Sequence, residues 1–263
     1  MNLMEKISIA IPTYNSSKFI KESIPKIYKT SVINEIIIHD DCSNEDDFED
    51  IQRFISKYKK NKKINLKIYR NSSNIGGFKN KYLAVEKCEN NIVYQMDSDN
   101  ILSNSFSKFF DSNFLQNFDN DYIYMPSYIY AFKKNHLLTS YRKNGIVKIS
   151  DEDLILKIDD VKKEIEKSNL CYKPMNWLLN LGNWLFNRES YLEKLHEGFE
   201  SKDETSAADA IAGTFYWMKN GGSLMLKKDF YHHHRLRPDS YYVSTNKVTP
   251  QLVEKYLNLI NNL

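Results

Sequence analysis

A mixed α/β fold with a largely parallel, Rossmann-like central sheet is predicted by three features of the sequence. The first hundred residues alternate apolar, β-branched runs with segments of helical character, in the order β-α-β-α-β-α-β. One run, Glu35-Ile36-Ile37-Ile38-His39, is continuously apolar at its centre, as parallel strands buried on both faces are. The run Ile92-Val93-Tyr94-Gln95-Met96 ends abruptly in Asp97-Ser98-Asp99-Asn100. That puts two carboxylates at a strand's carboxyl end, where open α/β sheets hold their ligands.

The elements follow in order. Lys6 to Ile11 forms the first strand, closed by Pro12-Thr13-Tyr14-Asn15. Ser16 or Ser17 caps a helix from Lys18 to about Lys29, which Pro25 kinks or ends early. The second strand ends at Asp40-Asp41-Cys42-Ser43; a charged helix spans Glu45 to Lys60, and a strand Asn65 to Arg70. Asn74-Ile75-Gly76-Gly77 opens a helix near Asn80 to Cys88, before the strand that carries the carboxylates. Tyr122 to Phe132 reads as an aromatic strand. Asp151 to Lys167 reads as a helix with Leu154, Ile158, Val161 and Ile165 along one face, either an ordinary surface helix or a lid. A further amphipathic helix follows the segment Gly198 to Ile211 and stops at Asn220-Gly221-Gly222. Thr249 to Leu263 is a capped amphipathic helix, placed to dock on the core, pair subunits or rest on a membrane surface.

Side-chain alternation puts Asp97 and Asp99 on one face and Ser98 on the other. Two carboxylates so placed can share a divalent cation and the phosphates it carries; without a cation they repel. An isolated Asp-x-Asp is more often a turn, so the weight lies on the accompanying motifs. Tyr231-His232-His233-His234-Arg235-Leu236-Arg237 is the second unusual stretch, in a chain with six histidines. In an extended segment His232 and His234 share a face and His233 points away.

These motifs together resemble the family 2 glycosyltransferases, which have the nucleotide-diphospho-sugar-binding fold called GT-A. The resemblance rests on Ile9-Ala10-Ile11-Pro12-Thr13-Tyr14-Asn15, Asp40-Asp41-Cys42-Ser43, Asn74-Ile75-Gly76-Gly77 and Asp97-Ser98-Asp99, over roughly residues 5 to 110. It implies a donor site in which Pro12, Thr13 and Tyr14 lie along the nucleotide, Tyr14 against the base, and Asp41 accepts a hydrogen bond from the base. Lys81 stands where the family often has a nucleotide-contacting arginine, and a lysine cannot make arginine's two-pronged contact. Asp97 and Ser98 contact the donor, and Asp99 binds the metal directly, with His234 as a second ligand. Arg235 and Arg237 reach the diphosphate. Trp177, in the segment Asn176 to Arg188, lines the sugar site. Asp209 is the general base that takes the acceptor's proton, with Asp203 and Glu204 as competitors; Asp209 also simply suits a helix N-terminus. The cofactor implied is Mn²⁺ or Mg²⁺, which neutralises charge on the departing diphosphate. The donor is a nucleotide-diphospho-sugar, UDP-sugars favoured, and the acceptor a saccharide or lipid-linked saccharide. Inverting transfer in bacterial-type surface glycan synthesis is the activity implied. A sugar nucleotidyltransferase is disfavoured because its Gly-rich basic loop is absent after the first strand. A catalytically inactive binding module is disfavoured because Asp99 and Asp209 are both present.

Composition agrees. With 263 residues, 41% hydrophobic and 27% charged, the chain can bury a large core. The organisation expected is a nucleotide-sugar half at 1–120, an acceptor and catalytic half at 121–248, and a terminal helix at 249–263. A net charge of +3 is too small to imply a nucleic-acid partner, and three cysteines, Cys42, Cys88 and Cys171, show no metal spacing. No apolar run reaches membrane-span length and no signal peptide opens the chain, so a cytoplasmic protein is expected, at most touching the inner membrane face.

Overall fold

The computed structural model describes residues 6–58, 64–103, 106, 114, 117–133, 136–137, 146–148, 150–167, 179, 182–201, 208–235 and 249–263. The N-terminal half is β1 (Ile7–Thr13), α1 (Ser17–Ile27), β2 (Ile33–Asp40), α2 (Glu45–Tyr58), β3 (Asn65–Arg70), α3 (Gly77–Glu86) and β4 (Ile92–Gln95). The second half adds β5 (Tyr122–Lys133), β6 (His136–Leu137), β7 (Ile146–Lys148), β8 (Leu154–Leu156), α4 (Ile158–Lys167) and β9 (Leu185–Asn187). It is completed by α5 (Arg188–Glu200), α6 (Asp209–Lys219), β10 (Ser223–Arg235) and α7 (Thr249–Asn261).

The described strands form one sheet in the order β3-β2-β1-β4-β9-β5-β10-β8, with β6 and β7 paired to β5. The first four strands are parallel, as expected. β9 lies antiparallel between β4 and β5 and joins the halves, and β10 returns parallel to β5. Alternation distributes the parallel strands between two cores. Ile9, Ile36, Ile38 and Tyr94 face one side, with Ile20, Ile24 and Ile51 of α1 and α2. Ala10, Ile37 and Val93 face the other, with Phe78 of α3, Leu195 of α5, Ile211 and Trp217 of α6 and Tyr256 of α7. Burial on both faces is why these strands read as unbroken apolar runs.

Several boundaries differ from expectation for local reasons. The α1 amide at Ser17 is capped by the Asp47 carboxylate of α2, at 3.1 Å to each oxygen, while the Ser16 hydroxyl turns back to the Tyr14 carbonyl. Pro25 lies inside α1, which ends at Ile27. Helix α3 starts at Gly77, ahead of the expected Asn80, because Gly76 takes φ +88°, a conformation suited to glycine. The first part of the expected 151–167 helix is instead strand β8, pairing Leu154 with Leu226 and Leu156 with Leu224. The helix waits until Ile158, where Asp160 Oδ2 accepts the Lys157 amide at 3.1 Å. Helix α6 is buried at every position from Ala210 to Met218 and so is not amphipathic. Helix α7 docks on the core through Val253, Tyr256, Leu257 and Ile260.

Close packing around α6 fixes where its first residue, Asp209, lies. A Cβ on Gly198 of α5 would stand 2.5 Å from the Tyr216 ring and 2.8 Å from Phe78, both buried. Alanine's helix propensity favours Gly198→Ala by about 1 kcal/mol, but overpacking a tight core costs about 1 to 3 kcal/mol. Net destabilisation is expected, read as a lower urea midpoint at unchanged slope; a raised midpoint would show that this contact has room.

Candidate active site

The carboxyl ends of β1, β2 and β4 converge with the starts of α3 and α6. Asp41, just past β2, is buried and acts as a knot. Its amide donates to the Thr13 carbonyl at 2.9 Å, and its carboxylate accepts from the Ile75 amide at 2.9 Å, the Gly76 amide at 3.0 Å and Asn71 Nδ2 at 2.9 Å. One residue, through its amide and its carboxylate, thus joins the ends of β1 and β2 to the start of α3. Its neighbour Asp40 is turned inward, accepting from the Ser43 amide at 3.0 Å, with Arg70 Nε at 3.3 Å. Burial raises the Asp40 pKa, opposed by those contacts. Asn15 and Cys42 adopt φ +47° and +62° at the two loop tips, and Tyr14 is 48% exposed beside them. Pro12 and Thr13 are buried within β1, paired with His39 and Asp40.

The tail of β4 is gripped from both sides. The Met96 amide donates to Ala10 and the Gln95 amide to Trp184, while Gln95 Nε2 donates to the Gly182 carbonyl at 2.7 Å. Asp97 exchanges bonds with Asn183: its amide donates to Asn183 Oδ1 at 2.9 Å, and Asn183 Nδ2 donates to Asp97 Oδ2 at 3.0 Å. Lys81, reaching from α3, places Nζ 3.0 Å from Asp97 Oδ1 and 2.7 Å from Asp209 Oδ2. Burial alone would lower the Lys81 pKa, but the Asp209 and Asp97 carboxylates hold it above the ordinary lysine value. Three expected site residues, distant in sequence, are therefore in one contact cluster.

The histidine strand lies against the same loop. Ile101 bridges to His233, and the Arg235 amide donates to Asn100 Oδ1 at 2.9 Å. His232 and His234 share a face, ring centroids 5.6 Å apart. Burial lowers the His234 pKa; Asp97 opposes and Lys81 reinforces this, which marks His234 as within electrostatic range of the cluster. Arg235 points elsewhere than expected: Nε donates to the Asp99 carbonyl at 2.8 Å and its Nη2 pairs with Glu22 of α1. Ser98 is buried and Asp99 half-buried. Trp177, Asp203, Glu204 and Arg237 lie outside the described residues. Among the described residues no three histidine, cysteine, aspartate or glutamate side chains converge as a metal cage. Sequence reasoning did not single out Asn183, Gly182, Gln95, Asn100 or Glu22; Asn183 and Gly182 lie within the flagged segment Asn176 to Arg188, Gln95 and Asn100 within the run that carries the carboxylates, and none had a signal of its own.

Residues 8–109 match the family described as Glycosyl transferase family 2. Over 104 residues the chain is 30% identical to poly(ribitol-phosphate) beta-N-acetylglucosaminyltransferase TarS of Staphylococcus aureus strain Mu50. That match takes in 38% of this chain and 17% of the relative, so it spans a small part of that protein. The crystal structure of S. aureus TarS 1-349 in complex with UDP-GlcNAc superposes with TM-score 0.66 at 19% identity, covering 97% of this chain and 65% of that one. GalNAc-T7 with UDP, GalNAc and Mn²⁺ gives 0.60 at 15% identity, covering 96% and 50%. Both likenesses establish the GT-A fold.

Two measurements check this geometry. Asp41→Ala removes the acceptor of the Ile75 amide and leaves the Gly76 amide with Asn74 Oδ1 alone, so about 1 to 3 kcal/mol of stability should be lost in urea unfolding; an unchanged midpoint would mean the knot is idle. The second uses pH. Burial lowers the pKa of His39, His232, His233 and His234. A group whose folded value lies below its unfolded value stabilises the neutral-form fold fully above the unfolded value, near 6.5, and that contribution is lost as pH falls toward the folded value. Asp40, whose pKa burial raises, acts in the opposite sense, one group against four imidazoles. The urea midpoint should therefore drop between pH 7.5 and 5.5; a flat or rising midpoint contradicts buried neutral imidazoles.

Proposed function

Since the chain carries a family 2 glycosyltransferase domain with the GT-A fold, we propose that it transfers a sugar from a uridine diphosphate donor to an acceptor hydroxyl, with inversion by single displacement. The observation that carries this reading is the meeting of Asp97, Lys81 and Asp209 at the carboxyl end of the sheet. A donor-side carboxylate and an acceptor-side carboxylate from opposite halves of the chain meet on one ammonium, and transfer between two substrates requires that their sites lie side by side. A uridine donor is supported by the UDP-GlcNAc bound in the TarS structure. A saccharide or lipid-linked saccharide acceptor, and a place in surface glycan synthesis, extend the same reading. It is taken to act in the cytoplasm; no described helix is long and apolar enough to cross a membrane.

The roles follow from placement. Tyr14, exposed at the rim, offers an aromatic face to the base. Asp41 holds the loops that frame the base and stands beside it. Asp97, fixed by Asn183 and Lys81, meets the donor sugar and ribose. Asp209, first residue of α6, accepts the acceptor's proton as its oxygen attacks the anomeric carbon. A divalent cation fits the donor set. Asp99 and His234 would hold it, and Mg²⁺ or Mn²⁺ would take their remaining ligands from phosphate and water. When bound, such a cation neutralises charge on the leaving diphosphate.

Two variants test the reading. Asp209→Asn should keep UDP affinity and lose turnover by ~10² to 10⁴. Asp99→Ala should abolish transfer and remove the Mn²⁺ dependence of UDP binding in calorimetric titrations; normal turnover by Asp99→Ala in chelator would sink the metal role.

A further inference from the structure

The sequence suggests Lys81 as a nucleotide contact, yet the geometry gives it a different task. We propose that Lys81 is the positioning residue of this site: its ammonium fixes the Asp209 carboxylate through Oδ2 and locks it in register with Asp97. This rests on reading Asp209 as the base.

The surroundings support a fixed geometry. The Lys81 side chain is only 8% exposed, with one glycine against its ammonium and another against the Asp209 carboxylate it holds. A Cβ at Gly182, whose φ is +69°, would stand 2.8 Å from Lys81 Nζ. A Cβ at Gly77 would stand 2.9 Å from Asp209 Oδ2. The other oxygen of Asp209, Oδ1, accepts the Ala210 amide at 2.8 Å. A carboxylate at the start of a helix ordinarily samples several rotamers; here an ammonium and a glycine wall select one. A general base works only within hydrogen-bond reach of the proton it takes, and misplacement by an ångström is costly. Because Lys81 holds Asp97 in the same grip, donor and base move together.

The test compares Lys81→Met, Gly77→Ala, Asp209→Asn and the double variant Lys81→Met with Asp209→Asn. Readouts are UDP release from a panel of UDP-sugars that includes UDP-GlcNAc, each offered to a panel of saccharide and lipid-linked saccharide acceptors, and UDP affinity by calorimetry. Lys81→Met should lower kcat by ~10² or more while donor KM and UDP affinity stay within about twofold. Gly77→Ala, which changes no charge and only crowds Oδ2, should lower kcat by roughly tenfold with affinity kept. The double variant should be no slower than Asp209→Asn alone, since one residue acts through the other. Lost UDP affinity at normal kcat in Lys81→Met would make it a nucleotide contact, and multiplying losses in the double variant would make it independent of Asp209; either overturns the proposal. Should Lys81→Met fail to fold, Gly77→Ala decides, and wild-type kcat there overturns it. If Asp209→Asn is slow while Lys81→Met and Gly77→Ala are normal, only the positioning role fails. If Asp209→Asn turns over normally, or the wild-type chain consumes no UDP-sugar, the reading of the site fails with it.

Discussion

One buried ammonium between two carboxylates organises this protein's functional end. Lys81, Asp97 and Asp209 come from α3, the loop after β4 and the start of α6, and each contact is at 3.0 Å or less. Burying a charge is expensive unless it is paired and hydrogen-bonded; once it is paired, removing a partner costs about 3 to 5 kcal/mol. The constraint therefore acts in both directions. The fold must deliver three distant residues to one point, and their pairing holds the delivered elements there.

The delivery depends on topology. Parallel strands β1, β2 and β4 release their loops at the same end of the sheet, and Asp41 ties two of those loops to α3. Antiparallel β9 lies beside β4, so Gly182, Asn183 and Trp184 run along the tail that leads to Asp97. Helix α6 sits deep in the second core, with Trp217 and Ile211 fully buried, which leaves its first residue little freedom. On the far side, Arg235 links the histidine strand to Glu22 and to the Asp99 carbonyl, so the segment bearing His234 and the loop bearing Asp99 are braced together.

The N-terminal half was legible because its physics is local. Strands buried on both faces are unbroken apolar runs, and the polar residues that end them announce the loops. Asp97, Lys81 and Asp209 could be named in advance, though their mutual contact could not, since periodicity does not encode which distant residues meet. The same limit hid the Arg235 pairing with Glu22 and the capping of α1 by Asp47. Strands of three residues, such as β8 and β9, are too short to show alternation, and Leu154 was absorbed into a helical pattern. Helix α6 reads as amphipathic in the sequence, yet its polar positions are buried too: Thr214 satisfies its hydroxyl on the Leu179 and Ala210 carbonyls, and Tyr216 packs in the core.

The most direct measurement is a crystal structure of the chain with UDP and Mn²⁺. The uracil should lie against Tyr14 and near Asp41, the diphosphate should sit beside Asp99 and His234, and Lys81 should still join Asp97 to Asp209. A nucleotide bound away from the carboxyl end of the sheet, or Lys81 withdrawn from Asp209 to a phosphate, would contradict the account.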